Sequence, residues 1–135
     1  MTEIRYVLPG DREFWFTLDR HISAAEFEKK IRDREGYVAI CDGAHAGILR
    51  YNLFWDNTPF CNMLFVGWEH RRKGLGRMLM ERWESDMRAA GYEFVLTSTQ
   101  SDETAPHFYR KLGYSDCGAL ILNGGPAEIF LMKRL

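Results

Sequence analysis

Residues 70–79, HRRKGLGRML, gather Arg71, Arg72, Lys73 and Arg77 around two glycines at the start of a stretch with helical periodicity. The chemistry available there is anion binding. The first N–H groups of a helix have no internal partner and its dipole places positive potential at that end, so a phosphate is favoured. Gly74 and Gly76 carry no Cβ to hold a ligand's oxygens away from the backbone. The neighbouring cations would add charge-assisted hydrogen bonds. A solvated surface turn uses the same residues, and R-x-x-G-x-G alone does not separate the two. Other phosphate motifs fit worse: G-x-x-x-x-G-K-[ST] is absent, and GLGRML lacks the third glycine of a dinucleotide fingerprint.

The elements that must hold this turn are legible in the chain. Leu75, Met78, Leu79, Trp83, Met87 and Ala90 recur at spacings of three and four, the period of an amphipathic helix. Glu84 with Arg88 would support it from outside at i, i+4, and Gly91 closes it. FCNMLFVG before it and YEFVLTST after it read as strands, which makes the centre a strand–helix–strand unit and predicts a right-handed parallel crossover. Upstream, EIRYVL is a strand stopped by Pro9-Gly10, followed by one or two helices over residues 11–34. Ser23 and Glu26 form a capping box there, and Gly36 ends the helix. Two strands meet at the hairpin dipeptide Asp42-Gly43, and Asp56 to Pro59 break the chain before the fourth strand. ETAPHFYRKLG is a short helix, and two last strands flank Asn123 to Pro126. The order β, α, α, β, β, β, α, β, α, β, β defines an α/β fold, and residues 1–135 fit a single domain of ordinary size.

Composition narrows the function. Eighteen Lys and Arg against nineteen Asp and Glu give a net charge of −1, so the footprint of a nucleic-acid binder is missing and the local basic cluster suits one small anion. Cys41, Cys61 and Cys117 are far apart without C-x-x-C spacing, and the four histidines show no i, i+4 pairing. No disulfide framework and no metal site is expected. The N-terminus has neither a signal peptide's pattern nor a membrane anchor's apolar run, so no membrane partner and a cytoplasmic location are expected.

RRKGLG followed, one helix and one strand later, by DETAPHFYRKLGY resembles the GNAT superfamily of N-acetyltransferases. Its members carry [QR]-x-x-G-x-[GA] and then N-x-x-A-x-x-F-Y-x-K-L-G-[FY] in this order, and the order of elements is similar over nearly all 135 residues. The resemblance implies a mixed, mostly antiparallel twisted sheet of six to seven strands, with helices on both faces. It implies acetyl-coenzyme A as cosubstrate, no metal, and a pyrophosphate cradled by the N–H groups of Arg72 through Arg77, with Arg71, Lys73, Gly74, Leu75 and Gly76 in the same turn. Leu64, Phe65 and Val66 would pair their backbone with the pantetheine arm, and Phe108, Tyr109 and Asp102 complete the set. Asp102 stands where the family has Asn, which keeps an N-cap acceptor but brings a negative charge.

Tyr109 matches the tyrosine that protonates the departing thiolate in many members. A free thiol has a pKa near roughly 8.5, so a positioned proton donor helps coenzyme A leave. A backbone N–H near Val66 or Gly67 would bind the oxyanion. The fourth strand lacks the Glu that often assists as base in relatives; Asp56, just before it, is the candidate, with a water relay or a neutral acceptor as the alternative. Cys61 offers a rival acetyl-cysteine route, although nothing near it in sequence lowers its pKa.

In this family the acceptor site is built from the first helices, the loop before strand four and the last hairpin, here Phe14, Trp15, Phe16, His21, Trp55, Asp56 and the turn at residues 123–126. Aromatics beside an acid suit an amine. The reading is transfer of acetyl to a primary amine of a small molecule by direct transfer in a ternary complex. A protein α-amine or lysine is the alternative acceptor, a non-catalytic acyl-coenzyme A module the alternative class, and a homodimer is compatible with the chain.

Overall fold

The computed structural model describes residues 1–135. The elements are β1 (Thr2–Tyr6), α1 (Arg12–Leu18), α2 (Ala24–Arg32), β2 (Gly36–Cys41), β3 (Ala44–Phe54), β4 (Thr58–Val66), α3 (Leu75–Ala89), β5 (Phe94–Gln100), α4 (Ala105–Lys111), β6 (Ser115–Leu120) and β7 (Glu128–Arg134). Short 3₁₀ turns at Pro9–Asp11 and Trp68–His70 precede α1 and the basic turn. One seven-stranded sheet has the order β1-β2-β3-β4-β5-β7-β6, and every pairing is antiparallel except β4 with β5.

Alternation along the strands divides the core between the two faces of that sheet. Tyr37, Leu49, Tyr51 and Cys61 pack with Leu79, Met80, Trp83 and Met87 of α3 and with Tyr109 of α4. Their neighbours Val38 and Ile48 point the other way and meet Trp15 of α1 and Phe27 of α2. Each fully buried side chain of this size contributes about 1.5–3 kcal/mol, so α3 is held firmly under the strands whose ends form the site.

Several local readings hold. The Ser23 hydroxyl accepts from the Glu26 N–H at 3.1 Å and opens α2. Asp42 and Gly43 both have positive φ, 51° and 83°, as a tight hairpin turn needs. Gly91 and Gly113 follow α3 and α4 in the left-handed region.

Others are corrected. Glu84 does not support α3 from outside. It is buried, accepts from the Tyr114 hydroxyl at 2.7 Å and from Lys133 Nζ at 2.8 Å, and so ties α3 to β7. The i, i+4 ion pair on α3 is Arg82 with Asp86, half-buried and joined by the Tyr37 hydroxyl, which donates to Asp86 Oδ2 at 2.7 Å. Gly36 opens β2 rather than ending α2, because a Cβ there would meet Val7 Cγ1 at 2.9 Å. Thr58 and Pro59 belong to β4, paired with Phe54 and Leu53, so β3 and β4 form a hairpin rather than broken segments. Pro59 is tolerated because pairing with β5 starts only at Phe60. No helix is long and apolar enough to cross a membrane.

Candidate active site

β4 is the strand on which the site is built. It pairs with β5 only at Phe60 and Cys61, and beyond that point the two parallel strands part. At the same place the register against β3 slips, Tyr51 facing Cys61 and Arg50 facing Met63, which leaves Asn62 as a bulge. The bulge kinks β4, and the backbone edge of Leu64, Phe65 and Val66 toward β5 is left without a strand partner.

A cleft of about 680 Å³ opens along this gap, walled by Leu64, Phe65 and Val66, the turn residues Arg71, Arg72, Gly74, Leu75, Gly76 and Arg77, and Phe108 and Tyr109 of α4. In the turn, Arg72 and Gly74 have φ of 66° and 76°, so successive N–H groups point inward as in an anion nest. The first backbone bond out of it is Met78 N–H to the Gly74 carbonyl at 3.0 Å; the N–H groups of Arg72 to Arg77 have no partner. The two glycines work differently. Gly74 carries the left-handed backbone, with nothing within 4 Å of a Cβ, whereas a Cβ on Gly76 would meet Phe108 Cζ at 3.3 Å. His70 Nδ1, also on the cleft, is buried without a partner.

The cations divide. Arg77, Arg72 and, from α4, Lys111 line the cleft. Arg71 lies 5.2 Å from the ring centroids of both Phe65 and Trp68 and donates from Nε to the Val66 carbonyl, so it buttresses the wall. Lys73 does not line the cleft; its charge acts on Asp42 across the β2–β3 turn. Asp102 is exposed, and α4 starts after Thr104 without a side-chain cap, so Asp102 neither caps it nor lines the cleft, which Glu103 does. Pro106 occupies the first turn of α4, where its missing N–H costs nothing.

Tyr109 reaches the inner end of the cleft and is 7% exposed. Burial pushes its phenol above the ordinary tyrosine range; Cys61 adds to the rise and a hydrogen bond with Thr97 works against it. The group is therefore a protonated donor at neutral pH. The Cys61 thiol is pushed up to about 12 by burial and donates to the Met63 carbonyl at 3.6 Å. A thiolate is the form that attacks, so burial works against the acetyl-cysteine route, and Cys61 does not line the cleft. The Gly67 N–H is committed to the Ala46 carbonyl at 2.7 Å and is not free for an oxyanion.

Asp56 sits on the exposed β3–β4 turn with φ of 64°. The strand residues 58–61 separate that turn from the bulge, roughly 13 Å of extended chain, and Asp56 lines neither the first cleft nor the second one described below. Trp15 is fully buried, and Phe14 and Phe16 pack around it, so these aromatics are core; Trp55 is exposed beside Asp56. The turn at residues 123–126 is exposed. His21 alone of that group lines a second, polar cleft of about 390 Å³ on the α1–α2 face, with Ser23, Glu26, Lys30, Arg50, Asn52 and Asn62. Arg50, Asn52 and Asn62 carry no motif; the bulge that turns Asn62 toward this cleft is set by pairing across strands, which local sequence does not show.

A parallel pair that splays beside a bulge, with a basic helix N-terminus at one end, offers an open strand edge next to an anion-binding turn. Residues 4–114 match the acetyltransferase (GNAT) family, and the chain belongs to that family. Among solved structures it is similar to Ard1 from Thermoplasma volcanium, with a TM-score of 0.85 at 19% identity over 99% of this chain and 97% of that one. It is also similar to an N-acetyltransferase from Staphylococcus aureus Mu50, at 0.84 and 18% identity over 99% and 98%. A third is N-acetylglutamate synthase from Neisseria gonorrhoeae complexed with coenzyme A and N-acetyl-glutamate, at 0.82 and 18% identity over 100% of this chain and 35% of that one. At these identities the structures share the fold. No curated protein matches the chain in sequence.

Proposed function

We propose that residues 1–135 act as one acetyltransferase domain that moves an acetyl group from acetyl-coenzyme A to a primary amine of a small molecule, by direct transfer with both substrates bound. The observation that carries this reading is the run of unpartnered N–H groups from Arg72 to Arg77 at the mouth of a cleft whose inner end is closed by Tyr109. Those amides, with the Arg72 and Arg77 side chains, fit a pyrophosphate. The free edge of Leu64 to Val66 fits the amide groups of a pantetheine arm laid beside it as a strand would lie.

Acetyl-coenzyme A supplies an acetyl thioester. The chain's own part is to place it and to manage protons. Tyr109 holds its proton and gives it to sulfur as the C–S bond breaks. The acceptor nitrogen forms its bond to the acetyl carbon from the side of the second cleft, and the proton it loses passes to water there. No carboxylate lies at the bulge, where the residue is Asn62, so the amine is taken to arrive neutral or to lose its proton through water, with His21 and Glu26 at the rim.

Release of the coenzyme A thiol from acetyl-coenzyme A, followed with and without a panel of small amines, tests this. Amine-stimulated release with formation of an N-acetyl product is the expected result. Binding of coenzyme A without release by any amine contradicts it.

A further inference from the structure

The second cleft is more specific than a general amine site. Arg50, on β3 and paired in register with Met63 next to the bulge, donates from Nε to Asp19 Oδ2 at 2.7 Å. Asp19 is fully buried and also accepts from the Trp15 indole N–H and the His21 backbone N–H, both at 3.1 Å. The guanidinium is thus fixed along one side, and its two Nη atoms make no hydrogen bond within the protein while the residue lines the cleft. An immobilised guanidinium with a free edge is a fork for two oxygens, the geometry that matches a carboxylate. Beside it, Asn62 Nδ2 donates to Asn52 Oδ1 at 2.7 Å, which fixes the Asn52 amide with its own N–H₂ unused.

Charge narrows the ligand further. Lys30 is spent on the Tyr51 carbonyl at 2.8 Å and on Glu35 at 3.2 Å, and Asp19 is spent on Arg50. What remains toward the cleft is the open edge of Arg50, the carboxylate of Glu26 at its rim, and His21. One cation fixed inside and one anion at the rim suit a zwitterion better than a polyamine. A volume of about 390 Å³ is that of a small-molecule site.

We infer that the acceptor is a small amino-carboxylate, a free amino acid or a close analogue, whose carboxylate is held by Arg50 and Asn52 while its amine reaches the acetyl group at the Asn62 bulge. This rests on the acetyl-transfer reading and names its substrate class. A peptide or protein N-terminus has an amide where this site places a carboxylate.

The test compares kcat/KM for free amino acids, their carboxamides and unsubstituted alkylamines with the same enzyme and acetyl-coenzyme A. The carboxamide keeps shape and amine but removes the charge. Amino acids are expected to exceed their carboxamides by about tenfold or more, the scale of one charge-assisted pair. Replacing Arg50 would leave Asp19 buried and unpaired and would endanger the fold, so the variant is Asn52→Asp, at an exposed position. It sets a carboxylate against the acceptor's own and is expected to lower the acid-to-carboxamide ratio by about tenfold. Carboxamides or alkylamines used as well as the acids, or a ratio that Asn52→Asp does not move, overturns the inference and leaves acetyl transfer standing. No transfer to any of the three classes overturns both.

Discussion

Tyr109, the proposed proton donor, is held in place by its aromatic neighbours. Its ring packs edge-on against Phe108 and Tyr114, at centroid distances of 5.2 and 5.7 Å, and this packing fixes where the hydroxyl stands. Burial makes the phenolate costly, so the hydroxyl keeps its proton at neutral pH, as the proposed donor role requires. Tyr109→Phe preserves the ring and its contacts. It is expected to bind acetyl-coenzyme A as wild type does and to lower kcat by about 10²–10⁴-fold, the range of a lost general acid. Steady-state kinetics beside a binding isotherm read the two separately, and an unchanged kcat would mean that water supplies the proton. The tyrosine and the glycine turn were legible in the sequence because both belong to contiguous motifs. Arg50 was not, because its partner Asp19 lies 31 residues away and only the folded chain joins them.

The elements owe their placement to a few polar ties as well as to the core. Asp11, between β1 and α1, accepts from Arg5 at 2.7 and 2.9 Å, pairs with His45 at 2.8 Å and receives the Leu8 N–H at 2.8 Å, so one carboxylate joins β1, the 3₁₀ turn and the β2–β3 hairpin. Arg5, Leu8 and His45 outweigh burial and hold its pKa at about 2, below the ordinary 3.8. A carboxylate depressed in the folded state stabilises above its unfolded value and ceases to do so as pH falls through the folded one. The Tm difference between wild type and Asp11→Asn is therefore expected to be full above about pH 4 and to shrink toward pH 2. A difference independent of pH across that window would show that the carboxylate's charge is not what holds these elements. Periodicity located α3 correctly but put Glu84 on the wrong side. The helical repeat places a residue on the cylinder, whereas Tyr114 and Lys133, 30 and 49 residues away, decide that this carboxylate faces inward.

Across the whole molecule, one irregularity lies between the two clefts. The register slip at Asn62 comes directly after the last pair of β4 with β5, with the cleft proposed for acetyl-coenzyme A on the α3–α4 side and Asn62 lining the cleft proposed for the acceptor on the α1–α2 side. The order of elements along the chain and the parallel crossover followed from hydrophobic pattern and turn residues, and helices on both faces from the family resemblance, whereas the order of strands across the sheet was not read from the sequence. The second cleft did not follow either, since it is assembled from the α1–α2 segment, β3 and β4 by pairing that no local pattern encodes. The most direct measurement is calorimetric titration of acetyl-coenzyme A into the wild-type protein and into Gly74→Val. Gly74 has φ of 76°, a conformation that costs a β-branched residue about 1–3 kcal/mol, and it holds the nest of amides open. The apolar face of α3 begins after it, at Leu75, so the variant is expected to stay folded. Saturable one-to-one binding by the wild type and its loss in a folded Gly74→Val protein are predicted. No binding by the wild type, or equal affinity in the variant, would contradict the assignment of this cleft to the acetyl donor.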